Sequence, residues 1–322
     1  MEEMKHPDVT HIGIVGNGMI GDAMTVLTTG HGYPTISICR SMEKVPGYKA
    51  KFDEYYKQMI DHDVLTEEQF KICEKYLTYS TDYADLKDCE IIFECIVENI
   101  DQKHAVYAKI EENCPKVKAI CSVSSSYLPD VLGEKMTKYA DRIIVTHPFN
   151  PAHMVPYFEI CGGSKTDPAV IPWVISVLES LDRKPAVLKK PNPGFIGNYL
   201  QFALWAAALK LVDDGVCEPK DIDTCLNYSF CPRYSSIGIF DHFDNGGYKL
   251  NITTCNSVFP ILPRWDEAPA IIREKAESPD AWGARSETKR GFYDWNGVDM
   301  EAYAEKVNAP YWKFCKWDFP TE

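Results

Sequence analysis

Residues 16–21 read Gly-Asn-Gly-Met-Ile-Gly, and their setting constrains the fold more than any other stretch of the chain. Before them runs an apolar segment, Val9 to Val15, that alternates little, as expected for a strand covered on both faces. After them comes an amphipathic segment with Met24, Leu27 and Thr28 on one side, which stops near Gly30 and Gly32. A second apolar run, Thr35 to Cys39, follows. GxGxxG between a strand and a helix, inside a βαβ unit, is the setting a dinucleotide requires. The glycines permit a tight turn, close approach of backbone to a pyrophosphate, and close packing of helix on strand. The helix N-terminus offers orphan N–H groups and positive dipole to the phosphates. A glycine-rich turn with no ligand is the plain alternative, and the βαβ context weighs against it. Gly16, Gly18, Met19, Ile20 and Gly21 are therefore the expected phosphate cradle.

The end of the second strand bears on which dinucleotide. An acidic residue about 20 residues on would hold the ribose 2′-hydroxyl of NAD. This chain has Arg40-Ser41 there, with Lys44 nearby. A guanidinium suits a 2′-phosphate through charge-assisted bidentate bonds, so the expected cofactor is NADP or NAD, with NADP favoured. A surface arginine stacked on adenine, with NAD still in use, is the alternative.

Residues 43–79 are charged and aromatic with helical periodicity, and Thr66-Glu-Glu-Gln69 begins the second helix as a capping box. They form an inserted helical pair. Cys89 to Cys95 reads as a further strand, and at its carboxyl end, where doubly wound sheets bind ligands, fall Glu98 and Lys103. Lys118 to Cys121 is another, ending in the serine cluster 122–126, which either meets a ligand or caps the helix from Pro129. Ile143-Ile144-Val145 then leads to His147-Pro-Phe-Asn150-Pro, a proline-punctuated turn at a strand end. The chain returns as Tyr157 to Cys161 with Glu159 inside an apolar run. A carboxylate there needs a partner, and a histidine oriented by a carboxylate is the usual general base near neutral pH. A strand-end turn with a capping Asn and a surface Glu is the bland alternative.

Lys189-Lys-Pro-Asn-Pro-Gly194 reads as a linker, and Phe195 to Gly215 as one long, nearly all-apolar helix. A helix apolar around most of its circumference is buried, at the centre of a second domain or in a dimer interface. The expected fold class is α/β: a Rossmann-type doubly wound sheet domain with an inserted helical arm over residues 1–190, then an all-α substrate and dimerisation domain over 191–322. A homodimer is expected, although a monomer with a buried helix fits the same letters.

The net charge of -13 argues against nucleic acid or an anionic membrane as the main partner. No apolar run reaches the roughly 20 residues of a membrane span, and the first residues lack a signal-peptide core. The 12 cysteines contain no CxxC pair and no zinc spacing, so no metal is expected. Most sit in apolar surroundings, which suits small buried hydrophobes in a reduced, cytoplasmic compartment.

Taken together these residues resemble the L-3-hydroxyacyl-CoA dehydrogenase family, over most of the chain from Gly16 to about Trp295. The nucleotide loop, Val97-Glu-Asn-Ile-Asp-Gln-Lys103, Ser124-Ser125-Ser126, His147-Pro-Phe-Asn150-Pro, Glu159, Pro193-Gly-Phe-Ile-Gly-Asn198 and Lys289-Arg-Gly-Phe-Tyr fall in family order. The resemblance implies that His147 takes the proton from a substrate 3-hydroxyl as hydride leaves for the nicotinamide, with Glu159 orienting the imidazole. It implies that Ser125, with Ser126 as the alternative alignment, and Asn198 hold the reacting oxygen. Glu98, Lys103 and Asn150 would approach the cofactor. The implied substrate is an L-3-hydroxy acid or its CoA ester.

Two departures bear on the substrate. CoA-using members carry lysines on the arm, whereas its tip here reads Met59-Ile-Asp-His-Asp-Val-Leu65, leaving Lys49, Lys51 and Lys57 as the arm's possible contacts. Arg233-Tyr234-Ser-Ser-Ile-Gly238 is similar to a segment of relatives that oxidise free hydroxy acids, L-gulonate 3-dehydrogenase (lambda-crystallin) and carnitine dehydrogenase. Arg233 could thus grip a free carboxylate, and a structural arginine at a helix–helix junction is the plain alternative. A CoA-independent dehydrogenase is the alternative within enzymes, and a non-catalytic dinucleotide-binding structural or sensor protein the alternative outside them.

Overall fold

The computed structural model describes residues 5–277, 283–284 and 286–321. Its centre is an eight-stranded sheet: β1 Ile12–Val15, β2 Thr35–Ile38, β3 Leu77–Ser80, β4 Ile91–Glu94, β5 Ala119–Ser122, β6 Ile143–Pro148, β7 Tyr157–Gly162 and β8 Lys184–Leu188. The order across the sheet is β3-β2-β1-β4-β5-β6-β7-β8, and every neighbouring pair is parallel except β6–β7. The order reverses between β1 and β4, and ligands of doubly wound sheets bind outside the strand ends at that point. β1, β4 and β5 are buried at every residue, which is why their sequences read as unbroken apolar runs.

Helices α1 Met19–Gly30, α2 Val45–Asp61, α3 Glu67–Glu74, α4 Ile100–Asn113, α5 Pro129–Leu132 and α6 Val170–Glu179 connect the strands. The inserted pair is α2 and α3. The capping box at Thr66 is formed: its hydroxyl accepts from Gln69 N–H at 3.2 Å, and Gln69 Oε1 accepts from Thr66 N–H at 2.8 Å. β3 was not legible in the sequence, because it is a half-exposed edge strand and Leu77-Thr-Tyr-Ser carries little apolar signal.

The chain divides into two compact units, Met1–Gly197 with Ala304–Glu322, and Asn198–Tyr303. The sequence reading ended its first domain at 190 and gave the whole remainder to the second. In the structure residues 304–322 belong to the first unit, where Cys315, Trp317 and Phe319 are buried in its core beside Ile14, Leu27 and Val177. The second unit holds α7 Gly197–Asp213 (all but its first residue), α8 Pro219–Tyr228, α9 Cys231–Tyr234, α10 Ile239–Gly246, α11 Tyr248–Val258 and α12 Ala270–Glu277, and α13 Met300–Asn308 spans its end. Within the single chain α7 is not buried at the centre of the second unit: Leu209 is its one buried apolar side chain, while Phe202 is 57% and Trp205 43% exposed, which leaves the interface alternative open.

Candidate active site

The phosphate cradle follows from glycine geometry. Gly16 has φ +108°, a conformation L side chains rarely adopt, and a Cβ on Gly21 would lie 1.8 Å from the Gly16 carbonyl oxygen. Gly18 caps α1 without a side-chain acceptor, and nothing lies within 4 Å of where its Cβ would be. The N-cap supplies no side-chain acceptor to the first N–H groups of α1, and such orphan donors at a helix start suit an anion. Met19 is exposed, Ile20 is half-buried against the core, and Asn150 Nδ2 lies 3.0 Å from Met19 Sδ, which brings Asn150 to the same helix end.

Beside the cradle lies a cavity of about 550 Å³ lined by Gly16, Gly18, Arg40, Lys44, Tyr48, Tyr83 and Lys109, among others. Three of its lining residues are cationic and none is a carboxylate. Cys39 follows the end of β2, with its thiol turned inward to the Ser80 carbonyl at 3.2 Å. Arg40 is exposed and reaches Gln102 Oε1 at 3.4 Å, and Ser41 accepts from Glu43 N–H at 3.2 Å. Glycine loop, free helix end and cavity fit a dinucleotide.

Behind the strand ends is a buried network that the sequence reading missed. Glu94, the last residue of β4, is fully buried. It accepts from Lys103 Nζ at 2.8 and 3.1 Å, from the Tyr107 hydroxyl at 2.6 Å, from Ser122 at 2.7 Å and from Ile96 N–H at 3.0 Å. A buried ion pair is tolerated when hydrogen bonds satisfy its remaining lone pairs, as here. The signal was present, since Glu94 closes the apolar run Ile91-Ile-Phe and so meets the criterion that singled out Glu159. The resemblance implied that Lys103 approaches the cofactor. Its side chain has no exposed surface, and its ammonium is turned to Glu94 and, at 3.3 Å, to Glu98.

Glu98 in turn holds the serine loop. Its Oε1 accepts from Ser124 Oγ and Ser125 N–H, both at 2.8 Å, and from Ser126 N–H at 3.3 Å. Burial raises the Glu98 pKa, but these bonds and the Lys103 charge outweigh it and hold the carboxyl below its ordinary range. Ser124 is buried and caps Tyr127 N–H at 2.8 Å, whereas Ser125 and Ser126 are not buried.

His147 and Glu159 face one another in register across the antiparallel β6–β7 pair. His147 Nδ1 lies 2.8 Å from Glu159 Oε2. The second carboxylate oxygen accepts from Ile196 N–H at 2.8 Å, Gly197 N–H at 2.6 Å and the Tyr157 hydroxyl at 3.2 Å. Burial works against the charge of Glu159, yet the His147 bond and the two backbone N–H groups keep its pKa below the ordinary value. A carboxylate on Nδ1 fixes the proton there and leaves Nε2 as a lone pair. The neighbouring His153 offers no alternative base. It is fully buried, neither ring nitrogen has a partner, and burial with the nearby Arg183 and Lys51 charges pulls its pKa down to about 3. It packs as a neutral ring, 4.6 Å from Tyr55.

The remaining expected residues lie in the second unit. Asn198 is the second residue of α7. Arg233 is exposed on α9, with Nη1 3.0 Å from His242 Nε2. Among the described residues no group of three or more His, Cys, Asp or Glu side chains is arranged to hold a metal, and no helix is long and apolar enough to cross a membrane.

Comparison with known proteins places this geometry. Residues 11–191 match the model of the 3-hydroxyacyl-CoA dehydrogenase NAD binding domain, and residues 194–295 that of its C-terminal domain. An L-carnitine dehydrogenase of Oceanobacillus iheyensis is 29% identical over 274 residues, which is 84% of each chain. One from Mesorhizobium japonicum is 32% identical over 211 residues, 65% of this chain, and the match spans 56% of that protein's length. The fold is also that of a 5-formyl-3-hydroxy-2-methylpyridine 4-carboxylic acid 5-dehydrogenase described as an NAD+-dependent dismutase (TM-score 0.83, 21% identity, 95% of this chain and 97% of that one). With both domain models matched in order, the chain belongs to the 3-hydroxyacyl-CoA dehydrogenase family.

Proposed function

We propose that the protein is an NAD(P)-dependent oxidoreductase that interconverts an L-3-hydroxy acid, free or as its CoA ester, with the 3-keto form. The observation that carries this reading is the His147–Glu159 pair, almost wholly buried, in the same unit as the glycine loop. In the oxidative direction His147 Nε2 takes the proton of the 3-hydroxyl. Glu159 holds the ring in the tautomer that can accept it and stabilises the imidazolium that forms. Ser125 and Asn198 are assigned to the reacting oxygen, and Glu98 keeps the backbone of the serine loop in place. Bound nicotinamide supplies the hydride acceptor; Gly16, Gly18 and Gly21, with Asn150, would hold the dinucleotide.

Within this reading a free hydroxy acid is favoured over an acyl-CoA, because the arm tip at residues 59–65 has no lysine and the relatives named above are L-carnitine dehydrogenases. Arg233 is the residue assigned to the carboxylate. NADP is favoured over NAD by the three cations and missing carboxylate around the Arg40 cavity. A homodimer is supported by the second unit, where Leu209 is the one buried hydrophobic residue among those described while Leu200, Phe240, Phe259 and Ile261 are exposed. The unpaired cysteines, seven of them buried in the first 197 residues, support a reducing, cytoplasmic setting.

The test is oxidation of NADPH and NADH with acetoacetyl-CoA beside a panel of free 3-keto acids. Turnover of acetoacetyl-CoA alone would refute the free-acid reading. Tight cofactor binding with turnover of neither class would favour a structural or sensor protein.

A further inference from the structure

The loop Phe149–Pro156 joins the two strands that carry His147 and Glu159, and it contains Asn150. Its second half is buried: Ala152, His153 and Met154 have no exposed surface and Val155 is 6% exposed. A buried loop must still satisfy its carbonyls, and loops are usually kept at the surface for that reason. The loop's own Pro151 carbonyl accepts from Met154 and Val155 N–H at 2.9 Å each. The carbonyls of Ala152, His153 and Val155 converge instead on one group, Nη1 of Arg183, at 3.4–3.5 Å. Arg183 has no exposed surface, and its Nε donates to Leu181 O at 2.8 Å. Carbonyl oxygens meet its Nη1 and Nε, whereas its Nη2 is buried without a hydrogen-bond partner among the described residues. Burial lowers its pKa to about 10, which still leaves it charged at neutral pH.

The chain's last segment closes this chamber. The Trp317 ring lies 5.6 Å from the Arg183 guanidinium and 4.7 Å from the His31 ring, and its indole N–H donates to Phe314 O at 3.0 Å. Trp317 also packs so tightly on Gly30 that a Cβ there would come within 2.6 Å of the ring. Cys315 is fully buried, with Sγ 4.0 Å from the His153 carbonyl. A guanidinium is expensive to bury without an anion, and the carbonyl contacts on Nη1 and Nε offset part of that cost.

We propose that Arg183 is a positioning residue that clamps the 149–156 loop beneath the candidate active site, and that residues 315–319 are the strap that keeps it there. The last segment, whose role the sequence alone did not reveal, then acts on catalysis from within the first unit. This rests on the dehydrogenase reading for its effect on turnover, but not for the clamp itself.

Two readouts separate those questions. Amide hydrogen exchange at Met154 and Val155 reports the loop whether or not a substrate is known. Arg183→Met removes the charge while keeping an apolar side chain in the chamber, and is expected to speed exchange at those two amides by about tenfold or more while Ile12–Val15 and Ile91–Glu94 stay protected. In steady-state assays the same variant should lose about tenfold or more in kcat and bind cofactor more weakly, because the loop carries Asn150, which is assigned to the dinucleotide. Arg183→Lys should recover part of the loss. Trp317→Leu should copy Arg183→Met, and Trp317→Phe should stay near wild type, which keeps the test informative if Arg183→Met does not fold. Unchanged exchange at Met154 and Val155 in a folded Arg183→Met or Trp317→Leu protein would overturn the clamp. Faster exchange with unchanged kcat would overturn the link to catalysis. Absence of turnover in the wild type as well would refute the dehydrogenase reading and leave the clamp to be judged by exchange alone.

Discussion

His147 and Glu159 are directly opposed residues of an antiparallel strand pair, and the 2.8 Å contact between Nδ1 and Oε2 joins their side chains. Because both are set by strand register, neither depends on a mobile loop for its position. His147→Gln should lower kcat by about 10²–10⁴-fold, the usual contribution of a positioned base, with cofactor affinity near wild type. Glu159→Gln should lower kcat less while leaving the imidazole in place. Cofactor titration by fluorescence beside steady-state kinetics checks both, and surviving turnover in His147→Gln would show that the base is misassigned.

The Lys103–Glu94 pair should be far more sensitive to losing one partner than to losing both. Lys103→Met leaves a fully buried carboxylate with its hydroxyl and N–H donors but no cation, and is expected to cost about 3–5 kcal/mol. Adding Glu94→Gln should restore much of that, because an amide with nearby donors is cheaper to bury than an unpaired charge. Urea unfolding of the two single variants and the double variant measures the coupling. Additive losses would show that the pair is not the coupled unit described here.

Asp22 gives a pH dependence with a definite sign. It is buried in the first turn of α1, and burial, opposed by Asn17 and Lys51, raises its pKa from 3.8 to about 6. A carboxyl whose folded pKa is raised stabilises the fold while protonated, and that contribution is lost as pH climbs through the folded value. The contribution of Asp22 should therefore fall from about pH 4 to about pH 6 and level off above, while neutral buried His153, with its pKa pulled down to about 3, acts in the opposite sense over the same window. Glu98 and Glu159 act in the opposite sense, with pKa values below 4.5, so their contributions fade only under more acid conditions. Asp22→Asn should remove the Asp22 contribution that opposes His153, so that stability rises more steeply with pH between 4 and 6 than in the wild type. An unchanged profile in that variant would place the titration elsewhere.

What the sequence made legible follows a physical division. The glycine loop, the buried strands and the capping box at Thr66 each rest on local chemistry, which a short stretch of residues displays completely. His147 and Glu159 were readable because a carboxylate inside an apolar run demands a partner. Glu94 posed the same question but went unread because its partners, Lys103, Tyr107 and Ser122, come from two other elements. β3 was missed because an exposed edge strand shows no apolar pattern. The return of residues 304–322 to the first unit depends on contacts spanning most of the chain, such as Trp317 with Gly30, and no local pattern encodes those.

Cofactor preference should turn on Arg40. The alternatives differ by one phosphate, and the cavity beside it presents Arg40, Lys44 and Lys109 without a carboxylate. Arg40→Asp should raise KM for NADPH by about tenfold or more, since a bidentate charge-assisted contact is replaced by repulsion, and should lower KM for NADH. Lys44→Ala should weaken NADPH less, because an ammonium is a point charge rather than a fork. Clear preference of the wild type for NADH would remove the assignment altogether.

The apolar surface of the second unit gives a test in which the monomer and the dimer predict opposite outcomes. Leu200 on α7 is 57% exposed and Phe202 57% exposed, so in a monomer more than half of each side chain already faces solvent. Replacing an exposed side chain with a charged one usually changes stability by about 0.5 kcal/mol or less. In a dimer built on α7 the same change buries an unpaired charge in each copy and splits the assembly. Leu200→Glu and Phe202→Glu should therefore shift the mass measured by light scattering from two chains to one, and the lone chain should unfold at a lower temperature. A wild type that is already a single chain, or variants that keep both mass and melting temperature, would show that this face is not where two copies meet.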